Sequence, residues 1–562
     1  MFENSSKIED LLNYQVPPEW RDAVKIRTLY PPIPKHTGNI NFDIYDFDML
    51  FNDPATKELI RTGKTIGCFY IESPGMRSLL RRLDVETFEM LTAASSVIRP
   101  GVAESGMMQE FIARHKDPSR RKYLVPEMEI YLGETYGVMI YQEDVIKVAH
   151  HIAGLSLEEA DLLRRAMSGK MRSHYAMQRI VEKFFASCKE KGLTDYQSKE
   201  LWRQIESFAG YSFCKAHSAS FALLSYQVAF LKAHYPAEFM ASVLNNGGGF
   251  YSAAVYIQES KRLGLKIELP SINESEKEYV GKGKTIRIGL KAIKNLSYSM
   301  IERTVEERKR NGKYVSLADF LVRTKPGYEE TALLIKCGAM GYLRQTRPAL
   351  LRLLDIYFHR RKIIEENYSD LFIRETFTLE EEVKTDLNYS LAGICKEEYE
   401  AFGYMVTRHP LHFFREWTDA KGIVFAKDMK RNKGRKVQMI GWYMTSKRIK
   451  TRKGEIMKFL SLEDLTGTFE AVIFPKVYYR VAELTLSMGP YLVTGKVDIN
   501  DHSNLVAEDL EVLSSTDLQS SLQKDSFEHN YYGDEEKITE EDFALAKALD
   551  QNKLKVAYAG LK

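Results

Sequence analysis

Polar side chains that could bind an anion stand at the start of a long apolar segment. The stretch FAGYSFCKAHSASFALLSYQVAFLKAHYPAEFM, residues 208–240, places Lys215, His217 and Ser218 just before an apolar stripe at helical spacing. The first N–H groups of a helix lack partners within it and favour negative charge. The stretch therefore predicts a phosphate site at the helix start, unless Ser218 is only an N-cap and Lys215 is solvated. Pro236 is expected to end this helix and open the next.

A second cationic segment is GLSLEEADLLRRAMSGK, residues 154–170. It predicts a helix that starts with a capping box, carries Arg164 and Arg165 in its last turns, and is followed by Lys170. Asp161 can pair with Arg165 at i,i+4, but adjacent arginines point in different directions, so one pair is not expected to serve both. Either the cations complement the helix dipole, or their guanidinium groups bind phosphate oxygens.

Two further segments present arginines in rigid local settings. In SSVIRPGVAESGMM, residues 95–108, Arg99 precedes a Pro-Gly turn that could hold it towards a phosphate or leave it solvated. In CFYIESPGMRSLLRRL, residues 68–83, Arg77 and Arg81 share a helix face at i,i+4. Such a pair repels unless an anion or nearby acids lie between its members.

Length, charge and cysteine usage exclude several protein classes. A chain of 562 residues is expected to hold roughly three or four domains, and a net charge of +3 does not decide for or against nucleic acid. The five cysteines are scattered without a C-x-x-C pair, which argues against a disulfide framework or structural zinc and indicates a cytoplasmic protein. Neither a secretory signal nor a membrane span is expected.

The pattern along the chain predicts a multidomain α+β protein. A mainly helical domain comes first, shorter helices follow, and alternating strands form a C-terminal barrel. The predicted segments are a lead-in (1–40), the helical domain (41–270), a region of shorter helices (271–362), a linker that turns from acidic to basic (363–430), the barrel (431–513), and an acidic linker with a terminal helix (514–562).

The barrel is predicted to be of the OB type and could bind single-stranded nucleic acid. Its strands are QMIGWYM, KFLSLEDL, FEAVIF, YLVTGKV and LVAEDLEVL, with a helix between the third and fourth. Stacking faces and cations are offered by Trp442, Tyr443, Phe459, Phe469, Lys447, Arg448, Lys450, Arg452 and Lys453. The alternative for the aromatic residues is that half of them belong to the barrel core.

These segments, in this order, resemble the C-terminal half of the bacterial C-family DNA polymerases, the DNA polymerase III α-subunit group. The resemblance rests on IGCFYIESPGMRSLLRRL, SSVIRPGVAESGMM, YGVMIYQEDVIKVAHHIAGLSLEEADLLRRAMSGK and the stretch of residues 208–240. It continues through IRIGLKAI, ERKRNGKYVSLADF and EYEAFGYMVTRHPLHFF to the barrel, and covers about residues 41–513. The piece VLNNGGGFYSAAVYIQESKRLGLKI looks closer to the error-prone branch.

The resemblance implies a fingers domain, a tandem helix-hairpin-helix region and an OB domain of a DNA-directed DNA polymerase. It implies deoxynucleoside triphosphates and a DNA template-primer as partners, in replication or error-prone repair. In the family, residues matching these line the incoming-nucleotide pocket: Arg164, Arg165, Lys215 and His217, with Arg99 and Lys170 as further candidates. DNA is expected at Arg77 and Arg81 and at the basic barrel residues Lys447, Arg448, Lys450 and Arg452, beside Trp442.

The family's catalytic carboxylates bind two metal ions in a palm domain that precedes the fingers. By this resemblance, Mg²⁺ is expected in the complete polymerase but not on residues of this chain. The palm is then expected either on a separate polypeptide or on a longer gene product of which this chain is a fragment, and the isolated chain is expected to be inactive. The alternative is a non-catalytic paralogue that kept its DNA- or clamp-binding surfaces.

Two family features are altered in this sequence. Helix-hairpin-helix motifs grip DNA phosphates through backbone N–H groups in a glycine-containing turn, but the corresponding turn here, residues 295–298, is Asn-Leu-Ser-Tyr. It could bind DNA or only pack. The family's sliding-clamp peptide starts with Gln. Here residues 368–372 keep Asp370, Leu371 and Phe372 without that Gln, so they could bind the clamp or form a short amphipathic turn.

Overall fold

The computed structural model of the chain describes residues 42–98, 106–167, 174–206, 214–343, 345–359, 388–414, 418–419, 422–451, 453–499, 501 and 503–513. The chain divides into two compact units, one ending at His234 and the other beginning at Tyr235. The second unit therefore includes helices that the sequence pattern groups with the first domain, up to residue 270; the domain boundaries stay a prediction.

The described part of the first unit is built from helices. They are α1 (Phe47–Asn52), α2 (Pro54–Arg61), α3 (Pro74–Leu83), α4 (Phe88–Val97), α5 (Met107–Lys116), α6 (Glu127–Leu132), α7 (Gln142–Lys147), α8 (Leu157–Met167), α9 (His174–Glu190), α10 (Asp195–Glu206) and α11 (Lys215–His234). A π-helical turn, Val148–Ile152, follows α7 directly.

Short polar side chains and prolines fix where these helices start. Asp53 caps α2 by accepting a hydrogen bond from the Thr56 backbone N–H at 2.7 Å, and a proline occupies the first turn. Thr87 caps α4 in the same way, with the Met90 N–H at 3.2 Å. Such caps satisfy donors that the helix itself cannot pair.

Helix α11 is the central element of the first unit and packs against α4, α2 and α1. Tyr226 on α11 is fully buried, and its ring meets the Phe51 ring edge-on at a centroid distance of 5.2 Å. Near the C-terminal end of α11, the buried Lys232 ammonium donates to the carbonyls of Lys64 at 2.8 Å and Ile66 at 2.7 Å. These two bonds compensate the cost of burying the charge. As expected, α11 ends at His234 before a proline that opens the next helix.

The described part of the second unit begins with helices and a small sheet, continues with further helices, and closes with a barrel. Its elements are α12 (Pro236–Asn246), α13 (Ala253–Arg262), β1 (Lys266–Glu268), β2 (Val280–Lys282), β3 (Thr285–Arg287), α14 (Tyr298–Asn311), α15 (Leu317–Thr324), α16 (Tyr328–Lys336), α17 (Arg347–His359), α18 (Leu391–Phe402), β4 (Lys436–Lys450), β5 (Ile456–Glu463), β6 (Thr468–Ile473), α19 (Pro475–Val481), β7 (Tyr491–Val497) and β8 (Asn504–Val512). In the small sheet, β3 lies between β1, to which it is parallel, and β2, to which it is antiparallel.

The C-terminal strands form a closed barrel in the order β4-β5-β6-β8-β7. All neighbouring pairs are antiparallel except β6 and β8, and α19 lies between β6 and β7. This is the OB-type arrangement that the alternating pattern predicted, including the helix after the third strand. The predicted fold class, helical domains followed by an OB-type barrel, is confirmed.

A buried ion pair joins the barrel to the helical part of the second unit. Arg262, at the end of α13, pairs with Glu463 at the end of β5 at 2.7 Å, and His409 approaches the same carboxylate at 3.4 Å. Burial opposes ionisation of Glu463, but the neighbouring Arg262 and His409 outweigh it and hold the pKa of that carboxyl below its usual range. Side-chain contacts, in addition to the chain connection, therefore link the barrel to the helical part of this unit.

Candidate nucleotide and nucleic-acid interface

The two arginines of α8 share one carboxylate. Asp161 Oδ1 lies 2.8 Å from an Arg164 Nη atom, and Asp161 Oδ2 lies 2.8 Å from Arg165 Nε. The expectation that one acid cannot serve adjacent arginines was wrong, because a carboxylate has two acceptor oxygens and both long side chains turn back towards it. The Arg165 side chain is still 62% exposed, whereas that of Arg164 is 21% exposed.

The first turn of α7 connects α8 to the start of α11. Arg164 donates from Nη1 to Gln142 Oε1 at 2.9 Å. The next residue along α7, Glu143, accepts from the Lys215 backbone N–H with both carboxylate oxygens, at 2.9 and 3.1 Å. Two helices far apart in sequence therefore contact one short segment, α8 through the Arg164 side chain and α11 through the Lys215 backbone N–H.

The side chain of Lys215 contacts an acid and an aromatic ring. Its Nζ donates to both carboxylate oxygens of Glu134, at 2.7 and 2.8 Å, and lies 5.5 Å from the centre of the Tyr141 ring. Burial, together with nearby acids that include Glu134 and Glu143, raises the pKa of the Tyr141 hydroxyl well above its usual range. The Lys215 side chain therefore lies in acidic surroundings.

A buried aspartate shapes the start of α7. Asp144 Oδ2 accepts from the backbone N–H groups of Ile140 and Tyr141, at 2.9 Å each. Burial raises the pKa of Asp144 to about 7, against the opposite effect of these two hydrogen bonds. The bonds fix the extended backbone just before α7 and so orient the two residues that follow, Gln142 and Glu143.

His217 and Ser218 occupy the first turn of α11, and neither is a cap. The Ser218 N–H bonds the Cys214 carbonyl at 3.2 Å, so the helix has already begun, and the Ser218 hydroxyl is buried 2.6 Å from that of Ser96 on α4. The N-cap role expected for Ser218 was therefore wrong. His217 lies over Phe221, with ring centroids 4.3 Å apart.

The structure thus brings three of the predicted nucleotide-binding residues, Arg164, Arg165 and Lys215, into one chain of contacts. His217 lies two residues beyond Lys215 on the same helix. The remaining candidates, Arg99 and Lys170, lie outside the described residues.

Arg77 and Arg81 on α3 lie against the turn at Gly63. Arg77 donates from Nε to the Gly63 carbonyl at 2.8 Å. Gly63 has φ +65°, and a side chain there would come within 3 Å of both the Arg77 carbonyl and the Arg81 guanidinium. Both arginines therefore take part in internal packing, and their DNA-binding role stays a prediction.

Comparison with known families gives matches to two parts of the chain. Residues 23–192, which include α7 and α8, match the bacterial DNA polymerase III alpha subunit finger domain. The chain contains a finger domain of that polymerase family. Residues 264–350 match a helix-hairpin-helix motif.

Relatives named DNA polymerase III subunit alpha match most of the chain. The protein of Staphylococcus aureus is 33% identical over 506 residues, 89% of this chain and 46% of that protein. The protein of Aquifex aeolicus is 32% identical over 468 residues, 83% of this chain and 39% of that protein. The chain therefore spans less than half the length of either relative. Its predicted placement in the error-prone branch stays a prediction.

The hairpin that precedes α14 in the helix-hairpin-helix region contains a residue with positive φ, although it has no glycine. Asn295 takes a left-handed conformation, with φ +62°, which asparagine tolerates better than most residues. Ser297 caps α14, and both its N–H, at 3.3 Å, and its hydroxyl, at 2.5 Å, donate to Glu330 of α16. An internal carboxylate thus occupies donors that could otherwise meet a phosphate.

The barrel separates its candidate residues into core and surface. Tyr443 and Phe469 are buried in the barrel core, Phe459 is half-buried, and Trp442 packs against an apolar cluster outside the barrel. The alternative that half of these aromatic residues are core is confirmed. The Trp442 packing gives no support to the predicted stacking role.

The cations of the barrel lie at the C-terminal end of β4, in the hairpin that β4 forms with β5. The residues Lys447, Arg448 and Lys450, called the basic hairpin below, are exposed. Arg452 and the candidate clamp residues Asp370, Leu371 and Phe372 lie outside the described residues.

Neither metal ligation nor a membrane span is indicated by the described residues. They contain no group of three or more His, Cys, Asp or Glu side chains that could hold a metal ion. No helix among them combines the length and apolar character needed to cross a bilayer.

Sequence reasoning missed the partners of the cations. Glu134 and Glu143 lie 81 and 72 residues before Lys215, and Gln142 lies 22 residues before Arg164. No local spacing rule connects residues so far apart. The fold does so, because α7 packs against α8 and contacts the start of α11 through Glu143.

Proposed function

We propose that this chain supplies the incoming-nucleotide and template-primer binding surfaces of a DNA-directed DNA polymerase. The observation that carries the proposal is the connection of Arg164, Arg165 and Lys215 through the first turn of α7. Two of these residues lie within the matched finger domain. The error-prone role, the sliding clamp as a partner and the cytoplasmic location remain parts of the same proposal.

The chemistry of the cluster suits a nucleoside triphosphate. Guanidinium groups bind phosphate oxygens in pairs, and an ammonium adds a point charge on a flexible stem. Arg165 and Lys215 are exposed enough, at 62% and 46%, to exchange their present carboxylates for phosphate oxygens. Arg164, fixed by both Asp161 and Gln142, would provide the rigid part of the site.

Contacts with DNA are proposed for the second unit. The basic hairpin offers exposed cations to a strand of phosphates, and the helix-hairpin-helix region is the second surface. A partner that carries the catalytic carboxylates completes the proposal.

The described residues do not fit a magnesium site. The acids nearest to the cations are Asp161, Glu134 and Glu143, and each is engaged with an arginine or lysine rather than grouped with other acids. The Mg²⁺ expected for the complete polymerase would therefore be held elsewhere, and no step of the reaction is assigned to it.

The test is binding of a deoxynucleoside triphosphate to the purified chain in complex with primer-template DNA. Changing Arg164 and Arg165 to Ala should weaken that binding on the order of 10- to 100-fold, since a hydrogen bond to a charged group contributes about 1.5–3 kcal/mol. Arg203→Ala is the matched control, because Arg203 pairs with Glu200 at i,i+3 on α10 away from the cluster. Unchanged nucleotide binding in the double variant would rule out the assignment.

A primer-extension assay tests the need for a partner. The chain alone should extend no primer, and addition of a palm-bearing polypeptide should restore extension. Extension by the isolated chain would show that the catalytic carboxylates lie within it.

The second candidate is a non-catalytic DNA- or clamp-binding protein. It is favoured by the pairing of all three cations with internal carboxylates, since a site closed in this way could have lost its ligand. Binding of DNA with no measurable nucleotide binding in either wild type or variants would select this candidate.

A further inference from the structure

We infer that Glu134 and Glu143 act as an internal substitute for nucleotide phosphates and that an incoming triphosphate displaces them. The inference rests on the proposed nucleotide-binding function. It adds two residues that set the affinity of the site and that neither the sequence pattern nor the family match assigns.

Glu143 occupies the anion position at the start of α11. Both of its carboxylate oxygens lie within 3.1 Å of the Lys215 backbone nitrogen. A helix start favours an anion through its free N–H groups, and a carboxylate and a phosphate oxygen compete for the same donors. A phosphate can reach this donor only after Glu143 leaves.

Glu134 binds the side chain of the same residue, Lys215. Its two oxygens lie 2.7 and 2.8 Å from Lys215 Nζ, so the backbone donor and the ammonium of Lys215 are both bound to carboxylates. This second contact is independent of the helix start, because it is made by the side chain and by a different acid.

The contacts of Lys215 are of a kind that exchanges readily. The side chains of Lys215 and Glu134 are 46% and 49% exposed, and exposed ion pairs are weak. Asp161 differs, since it holds two arginines at once and is 34% exposed. We therefore expect Glu134 to be displaced readily and Glu143 to be displaced by competition for the Lys215 N–H, while Asp161 keeps the arginines in place.

Removal of the two negative charges should strengthen triphosphate binding. A glutamine keeps an acceptor oxygen for the helix start or the ammonium but carries no charge to compete with or repel phosphate. We expect Glu143→Gln to tighten binding by up to about fivefold and the double variant with Glu134→Gln to tighten it further, since interactions between exposed charges are of that size.

The experiment is calorimetric titration of the full chain with three probes: deoxyadenosine triphosphate, inorganic triphosphate and deoxyadenosine. Glu158→Gln is the matched control, because Glu158 is an exposed acid on α8 that carries the same charge. The first two probes should bind more tightly to the Glu143→Gln and double variants than to wild type and control, and deoxyadenosine should bind all four alike. Thermal unfolding of each variant checks that the fold is kept.

Each outcome separates the inference from the proposed function. Triphosphate binding to wild type that is equal or weaker in the glutamine variants would overturn the inference and leave the proposed function standing. An equal gain for deoxyadenosine would show that the acids only shape the fold, and would also overturn it. Absence of triphosphate binding in wild type and in the double variant would overturn both.

Discussion

The cations near α11 and those of the basic hairpin differ in how the protein holds them. Arg164, Arg165 and Lys215 each contact an internal carboxylate. In the described part of the barrel, no ion pair reaches Lys447 or Lys450. Positioned cations suit a small ligand of fixed shape, whereas exposed cations along a strand suit a polyanion bound in many registers. The two regions therefore match two different anionic ligands.

The largest effect is expected at the basic hairpin. Replacing Lys447, Arg448 and Lys450 by Ala should weaken single-stranded DNA binding on the order of a hundredfold at about 50 mM salt and reduce the slope of log K against log salt by about 2, as three lost phosphate contacts predict. The measurement is a titration of labelled oligonucleotide at several salt concentrations. Nucleotide binding should not change, and a matching loss there would break the distinction between the regions.

A second test concerns the acid that shapes α7. Because burial raises the folded-state pKa of Asp144 to about 7, above its unfolded value, the folded state binds the proton more tightly. Its contribution to stability is therefore present at low pH and decreases between about pH 4 and pH 7, by about 1.4 kcal/mol per pH unit at most.

Asp144→Asn should remove that part of the pH dependence. Its free energy of unfolding, measured by denaturant titration at pH 5 and pH 7, should change less between the two values than that of wild type. The exposed Glu158→Gln should keep the wild-type dependence. Equal pH dependence in wild type and Asp144→Asn would show that Asp144 does not titrate in this range.

The smallest effect is expected for stability at the exposed arginine. Arg165→Ala should lower the free energy of unfolding by about 0.2–1 kcal/mol, since exposed ion pairs contribute little, even though it should reduce nucleotide binding. Chemical denaturation alongside nucleotide titration measures both. A loss of several kcal/mol would mean that Arg165 is a structural residue and is not available to bind a nucleotide.

Local patterns predicted the elements well but not the contacts between them. The strands of the barrel follow from alternating residues, the start of α8 follows from its capping box, and the end of α11 follows from the proline after it. The burial of Tyr443 and Phe469 could not be predicted, because alternation gives two faces without saying which one turns inward. The contact of Ser218 could not be predicted either, because its partner Ser96 lies 122 residues away in the sequence.

The site was predictable in its cations and not in its acids. Arginine and lysine near helix ends are visible in a sequence, while the role of Glu134 or Gln142 depends on which helix packs beside it. The pairing of Asp161 with both Arg164 and Arg165 depends on the rotamers of the two arginines, which sequence spacing does not specify.

The buried Lys232 limits how α11 can respond to a ligand at its other end. A shift of the helix along its axis would break the buried hydrogen bonds from the Lys232 ammonium to the carbonyls of Lys64 and Ile66, which costs free energy. When a ligand binds at Lys215, we therefore expect the segment from Glu134 to Glu143 to change its orientation while α11 stays in place.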